Sequence, residues 1–275
     1  MPGEALTCHS QIRKAATTRG LLLPGQCVTL WIGPSLSPVE RACLRSILRQ
    51  GHDLALYCYR EPTGVPEGVE LRDAADILPE SEIVRHWSGS VALFANRFRY
   101  ELQRLALGTW LDCDAYLVRP LDFDRLYLFG EYEARRINNG VLRLPADSPM
   151  LPPLLQLFDE RTVPPWLPWR NRLAAGWRLR RTGRSGLGRM PWGSAGPKAL
   201  TYFAREFGLL EEALPPPVLY PLPWQEAQRI AREPLETLIT AETASIHVWN
   251  ERIKHLKYRS ATPGSFLEQL QMEGA

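Results

Sequence analysis

The residues with the clearest chemical capacity lie in Trp110-Leu-Asp-Cys-Asp-Ala-Tyr-Leu-Val-Arg-Pro-Leu-Asp122. Asp112 and Asp114 stand one residue apart, directly after a short apolar run that ends at Leu111. A strand ending in such a pair carries hard oxygen ligands to the carboxyl edge of a sheet. A divalent Mg²⁺ or Mn²⁺ bound with a diphosphate takes ligands of that kind. In a surface turn the same pair would do nothing, since Asp-x-Asp is short enough to arise by chance. Cys113 between them is a small apolar spacer and a poor match to such an ion.

Other residues could work beside the pair. Arg97, Arg99 and Tyr100 surround Phe98 on the segment that leads into it. A solvated arginine means nothing, but one whose helix runs into a metal-binding strand can hold a diphosphate or a sugar hydroxyl as a planar, bidentate donor. Trp31-Ile-Gly33 closes the first apolar run, a place where ligands bind in doubly wound sheets; core packing is the alternative. Asn138 and Asn139 precede Gly140 and read as a turn. Pro191-Trp-Gly-Ser-Ala-Gly-Pro-Lys198 is a glycine-rich loop opening a helix, so its amides could receive an anion. It matches neither a Walker pattern nor a dinucleotide fingerprint. His247 lies in Ser245-Ile-His-Val-Trp-Asn250, where a strand histidine is either structural or a ligand.

These residues need a frame. Residues 28–32 form a buried-strand pattern, and Ser37-Pro-Val-Glu40 is a capping box with proline at the first helical position. The helix it opens carries Cys43, Leu44, Ile47 and Leu48 on one face and stops at Gly51. A second strand follows at 54–59, and strand, helix and strand of this length make a right-handed βαβ unit with a parallel sheet. After a Pro/Gly-rich loop and a polar stretch through Asp73 and Asp76, a helix capped by Ser88 or Ser90 is expected. Val91, Phe94, Phe98, Leu102 and Leu105 form its buried stripe, with Asn96, Arg99 and Gln103 on another face. Further strands are expected at 126–131, 140–144 and 244–249, and a helix at 198–207. The fold class is α/β, a single mixed, Rossmann-like sheet flanked by helices. Residues 1–26 read as a loose leader, 27–256 as the domain and 257–275 as a tail.

Composition narrows the classes. A chain of 275 residues, 45% hydrophobic and 23% charged, can bury a sizeable core. It has no run of about 18 apolar residues, and the 21–23 run is too short for a signal peptide. Five cysteines (Cys8, Cys27, Cys43, Cys58, Cys113) without metal-ligand spacing read as free thiols in a reducing cytoplasm. The net charge of +3 is too small to argue for nucleic acid. Its distribution is uneven, because residues 161–192 hold eight arginines and no acid, with Trp166, Trp169, Trp177 and Trp192 interleaved. Three readings fit: a solvated loop whose tryptophans pack on the body, peripheral contact with an anionic membrane, or single-stranded nucleic acid, the least expected.

Taken in order, five landmarks between Val28 and Arg252 resemble the Asp-x-Asp sugar transferases of bacterial capsular-polysaccharide and lipopolysaccharide synthesis. That family is related to yeast initiation mannosyltransferases and glucosylating clostridial toxins. The landmarks are Trp31-x-Gly33, the Asn96-x-x-Arg99-Tyr100 segment, the Asp112/Asp114 pair, Asn138-Asn-Gly140 and His247-x-Trp249-Asn250. Ala95 and Asn96 stand where the family has Ser-Asp, so Asn96 brings hydrogen bonds without charge.

The resemblance implies a GT-A type fold and a metal-dependent hexosyltransferase using a nucleotide-diphosphate sugar. It implies Mn²⁺ or Mg²⁺ on Asp114, with Asp112 on the ribose or on the metal through water, and His247 as a metal ligand or phosphate contact. It sets Trp31, Asn96, Arg99, Tyr100, Asn138, Asn139 and Trp249 beside the donor and Gly196-Pro197 on the acceptor side. It also implies retention of configuration and a glycan, lipid-linked or lipopolysaccharide acceptor, for a bacterial cytoplasmic enzyme working at the inner leaflet. A toxin-like protein glycosyltransferase, a two-carboxylate glycosidase and a non-enzymatic membrane-binding module are the rivals.

Overall fold

Near-continuous apolar runs build the parallel half of the main sheet, as expected of strands covered on both faces. They are β1 (Gln26–Trp31), β2 (Asp53–Cys58) and β4 (Thr109–Leu111), all buried along most of their length. The computed structural model describes residues 25–121 and 124–275. The leader expected over 1–26, apart from Gly25 and Gln26, lies outside the described residues, as do Cys8, the 21–23 run and Asp122.

The main sheet has the order β3-β2-β1-β4-β7-β6, with β3 at Val69–Asp73, β6 at Leu128–Glu133 and β7 at Arg136–Arg143. β3, β2, β1 and β4 run parallel, and β7 and β6 are added antiparallel. The sheet is therefore mixed, as the sequence predicts. A second ribbon pairs β5 (Ala115–Leu117) with β8 (Ser245–His247), antiparallel, with Ala115 opposite His247.

Helices cover both faces. α1 (Pro38–Arg49) starts where the capping box predicts, with the Glu40 carboxylate accepting from the Ser37 backbone N–H at 2.9 Å and from its hydroxyl. α2 (Ala92–Arg104) buries Phe94, Phe98 and Leu102 against Val28, Trp110 and Leu142, while Leu44 and Ile47 of α1 pack with Leu54, Leu56 and Val141 on the other face. The remaining helices are α3 (Leu151–Gln156), α4 (Trp169–Thr182), α5 (Pro197–Glu206), α6 (Pro216–Leu219), α7 (Leu235–Leu238), α8 (Asn250–Ile253) and α9 (Phe266–Glu273). Among the described residues no helix is long and apolar enough to cross a membrane.

Four differences from the sequence reading have physical causes. β3 forms where only a polar stretch was read, because Val69 and Leu71 are its sole apolar residues and pairing with β2 supplies the rest. Asn138, Asn139 and Gly140 lie inside β7, not in a turn before it, since Asn138 pairs with Gly130 of β6 and the Gly140 carbonyl accepts from the Asp112 N–H. Residues 169–182 are a helix and not a loop, ended by Gly183 at φ +73° with Arg180 and Arg181 in its last turn, where cations meet the negative end of the helix dipole. Residues 257–275, read as a tail, contain α9, whose Phe266, Leu267 and Leu270 are buried against α1. Cys27, Cys43, Cys58 and Cys113 are free and buried.

Candidate active site

The strand order reverses between β1 and β4, and the carboxyl ends of these neighbours form the crevice in which open α/β sheets receive ligands. Trp31 ends β1 there, and Asp112 follows β4. A tight turn comes next: the Asp112 N–H donates to the Gly140 carbonyl at 2.7 Å, and the Ala115 N–H to the Asp112 carbonyl at 2.9 Å. The turn points both carboxylates toward β8, whose pairing with β5 brings His247 opposite.

Asp112, Asp114 and His247 each offer one ligand atom, all within 4.8 Å of one another. His247 Nε2 lies 3.4 Å from Asp112 Oδ2 and 3.5 Å from Asp114 Oδ1. Gly140 makes this closeness possible. A Cβ there would meet the His247 ring at 2.8 Å and Asp112 Oδ2 at 3.1 Å.

The two carboxylates are held differently. Burial pushes the Asp112 carboxyl up, but Arg99, then His247 and Trp110, bring it below the usual carboxylate range. Arg99 Nη2 sits 3.0 Å from Asp112 Oδ1, and Trp110 Nε1 donates to the same oxygen at 2.8 Å. For Asp114, burial and the Asp112 charge raise the carboxyl, outweighing His247 and the Asn250 backbone N–H, which donates to Oδ2 at 2.7 Å. Burial lowers His247, yet Asp114 and Asp112 carry it above its ordinary value. Asp112 thus has a guanidinium partner, whereas Asp114 is held by a backbone N–H and lies beside the imidazole.

Arg99 is buried, and its contacts are with the protein. Its guanidinium stacks over Trp110 at 4.6 Å, pairs with Asp112, and donates to the Asn139 and Ala95 carbonyls. Asn139 Nδ2 donates to Asn96 Oδ1 at 2.9 Å, and the Tyr100 hydroxyl donates to the Ala195 carbonyl at 3.1 Å. Gly196 closes over this group, since a Cβ there would meet the Asn96 amide at 2.9 Å and the Asn139 amide at 3.2 Å. Pro197 begins α5 beside it. Asn138 Oδ1 accepts from the Gly140 N–H at 2.7 Å. Arg97 turns aside to Glu82 at 2.5 Å.

Among the described residues Trp31 Nε1 is buried without a hydrogen-bond partner, an unmet donor at the ligand edge of the sheet. Trp249 packs against His247 with ring centroids 4.3 Å apart and planes tilted by 46°, and its indole N–H donates to the Leu222 carbonyl at 2.9 Å. Its backbone adopts φ +60°, a left-handed conformation costly for a bulky residue and found most often at sites of function. The Trp249 N–H also donates to His247 Nδ1 at 3.2 Å, which places the ring proton on Nε2, facing the carboxylates.

Sequence reasoning missed the second layer. Glu40 is fully buried and its Oε1 accepts from Asn250 Nδ2 at 2.8 Å and pairs with Lys257. One capping carboxylate therefore ties the α1 N-terminus to the segment that holds Asp114. Its capping role was legible; its distant partners were not. Gly140 and Asn250 stood inside quoted motifs, yet nothing in the spacing assigned them a task.

No family model matches the chain, and no curated protein does. Among solved structures, the chain is similar to a "PaToxG Glycosyltransferase" at 14% identity, over 66% of this chain and 69% of that one, with a TM-score of 0.39. At that level the comparison carries no weight of its own, and the case for function rests on the site.

Proposed function

We propose that this protein is a metal-dependent glycosyltransferase of the GT-A type, moving a hexose from a nucleotide-diphosphate sugar to a glycan or glycolipid. The observation that carries the reading is the convergence of Asp112, Asp114 and His247 within 4.8 Å at the switch point of the sheet. The two carboxylates offer the hard oxygen ligands that suit Mn²⁺ or Mg²⁺, with the His247 imidazole beside them. A cation bound there supplies positive charge to the leaving nucleoside diphosphate.

The chain's own residues have separable roles in this reading. Asp114 is the principal ligand, because its charge is otherwise opposed by burial and by Asp112. Arg99 and Trp110 fix the Asp112 carboxylate, so Arg99 positions a ligand as well as standing beside the donor. With Nδ1 accepting from the Trp249 N–H, His247 Nε2–H donates to a donor phosphate. It ligates the cation only if that bond yields and the ring proton moves to Nδ1. Trp31 offers its unpaired N–H and ring to the nucleotide. Asn96, Tyr100, Asn138 and Asn139 line the sugar, with Gly196 and Pro197 on the acceptor side.

Retention, which the sequence resemblance implies, would proceed by front-face attack. The acceptor oxygen bonds to the anomeric carbon as the phosphate oxygen leaves, and the acceptor proton passes to that phosphate. A glycosidase would need carboxyls flanking the scissile bond, about 5–5.5 or 6.5–9.5 Å apart. Asp112 and Asp114 instead converge on one imidazole nitrogen. The test is incubation with Mn²⁺ and a panel of nucleotide sugars, reading nucleoside diphosphate release. Release from one donor that stops with chelator and returns with Mn²⁺ is expected; no metal-dependent release from any donor would refute the reading.

A further inference from the structure

The helix in the acid-free segment turns its largest apolar side chains outward. Trp169, Leu173 and Trp177 of α4 are 65%, 65% and 61% exposed, while Ala175 is the helix's buried residue. Spaced four apart at about 100° per residue, the three fall within about 80° of one another, so they form one stripe. Arg172 and Arg180 are exposed beside it. Arg170 lies over the Trp169 ring at 5.1 Å and Arg181 over Trp177 at 5.2 Å. Trp166 differs: half-buried, it packs against Tyr202 and Phe203 and donates to the Ser194 carbonyl. It accounts for one tryptophan packed on the body and leaves the stripe without such a role.

We propose that this face of α4 docks on an anionic phospholipid bilayer, a partner beyond the donor and acceptor of the transferase reading and needing neither metal nor sugar. Charge complementarity selects the occupant: eight arginines and no acid lie in residues 161–192, and each such cation is attracted to an anionic surface. The apolar stripe selects lipid over nucleic acid. Leu173, central between two indoles, gives a base nothing to stack on, but it buries well at the acyl boundary. The helix, 14 residues long and therefore about 21 Å, lies in the interface plane. Trp192, 51% exposed, is a further outward indole of the same acid-free segment.

The test is co-sedimentation of the full-length protein with phosphatidylcholine vesicles containing phosphatidylglycerol, against phosphatidylcholine alone. Two variants share the assay: Arg172→Gln/Arg180→Gln/Arg181→Gln, and Trp169→Ser/Leu173→Ser/Trp177→Ser. Arg178 is left intact, because its Nε donates to the Ser185 carbonyl at 3.0 Å and holds the end of the helix. Binding is expected only with the anionic lipid and should fall as salt shortens the Debye length. It should weaken roughly a hundredfold in the arginine variant. The apolar variant should lose the blue shift of tryptophan fluorescence that the wild type shows on vesicles. Equal binding to both vesicle types, or by wild type and arginine variant, would overturn the proposal. So would single-stranded oligonucleotide displacing the protein from vesicles while shifting its fluorescence equally. Nucleotide-sugar turnover does not enter the readout, so failure here leaves the transferase reading standing.

Discussion

The candidate site and the exposed face of α4 both concentrate charge, and they treat it in opposite ways. At the site the charges are paired within the protein: Arg99 with Asp112 and Lys257 with Glu40, with His247 beside both carboxylates. Burial there makes each pairing obligatory, because an uncompensated buried charge is costly. On α4, Arg170, Arg172, Arg180 and Arg181 stand exposed beside exposed indoles, without an acidic residue in the segment. Paired and buried charge fixes geometry, whereas unpaired and exposed charge waits for a partner outside the chain. Substitutions in the two regions should therefore differ in what they damage.

The largest effect is expected at Glu40. Glu40→Ala leaves Lys257 buried without its counterion and removes the Asn250 anchor, so stability should drop by about 3–5 kcal/mol in a denaturant titration. A loss below about 1 kcal/mol would mean the link between α1 and the C-terminal segment is not needed. Next comes Asp114→Asn. Metal-dependent donor cleavage should fall about a hundred- to a thousandfold, while the melting temperature holds, since burial opposes the charge being removed. Retained activity at limiting Mn²⁺ would remove Asp114 from the metal.

Gly140→Ala sharpens the same side of the comparison without touching a charge. Its Cβ would press on His247 and Asp112, and such overpacking costs about 1–3 kcal/mol. Mn²⁺ affinity should weaken more than the fold does, measured by titration calorimetry beside a thermal melt; unchanged affinity would show that the site has slack. The smallest effect is expected on α4. The Arg172→Gln/Arg180→Gln/Arg181→Gln protein should keep its stability within about 0.5 kcal/mol and its turnover of a soluble acceptor. A large loss in either would place these arginines in the fold or the site.

Much of the frame was legible because local chemistry dictates it. The capping box at Ser37 and Glu40, the stripe of Phe94, Phe98 and Leu102, and the apolar runs of β1, β2 and β4 all formed where periodicity puts them. β3 was hidden because an edge strand with two apolar residues gains its identity from its neighbour. The asparagines of β7 were read as a turn for a related reason: their side chains favour turns, and pairing of Asn138 with Gly130 of β6 and the Asn139–Asn96 hydrogen bond offset that preference. The tryptophans of residues 161–192 could not be sorted by sequence, since Trp166 and Trp169 are three residues apart yet one packs inward and the other faces solvent.

The sequence by itself determined that Asp112 and Asp114 follow directly on an apolar run, because that order is local and needs no distant partner. It also determined the helix leading into them and the concentration of arginine and tryptophan in one segment. Only the tertiary structure decided that His247, 135 residues from Asp112, would complete the group, and that Glu40 would anchor Asn250. It likewise decided that Arg99 would turn inward onto Asp112 and that α4 would face its indoles outward. Periodicity and capping act over a few residues and can be read along the chain. Pairing of β5 with β8, burial and ion pairing depend on which distant segments share a space, and that is settled only when the chain closes on itself.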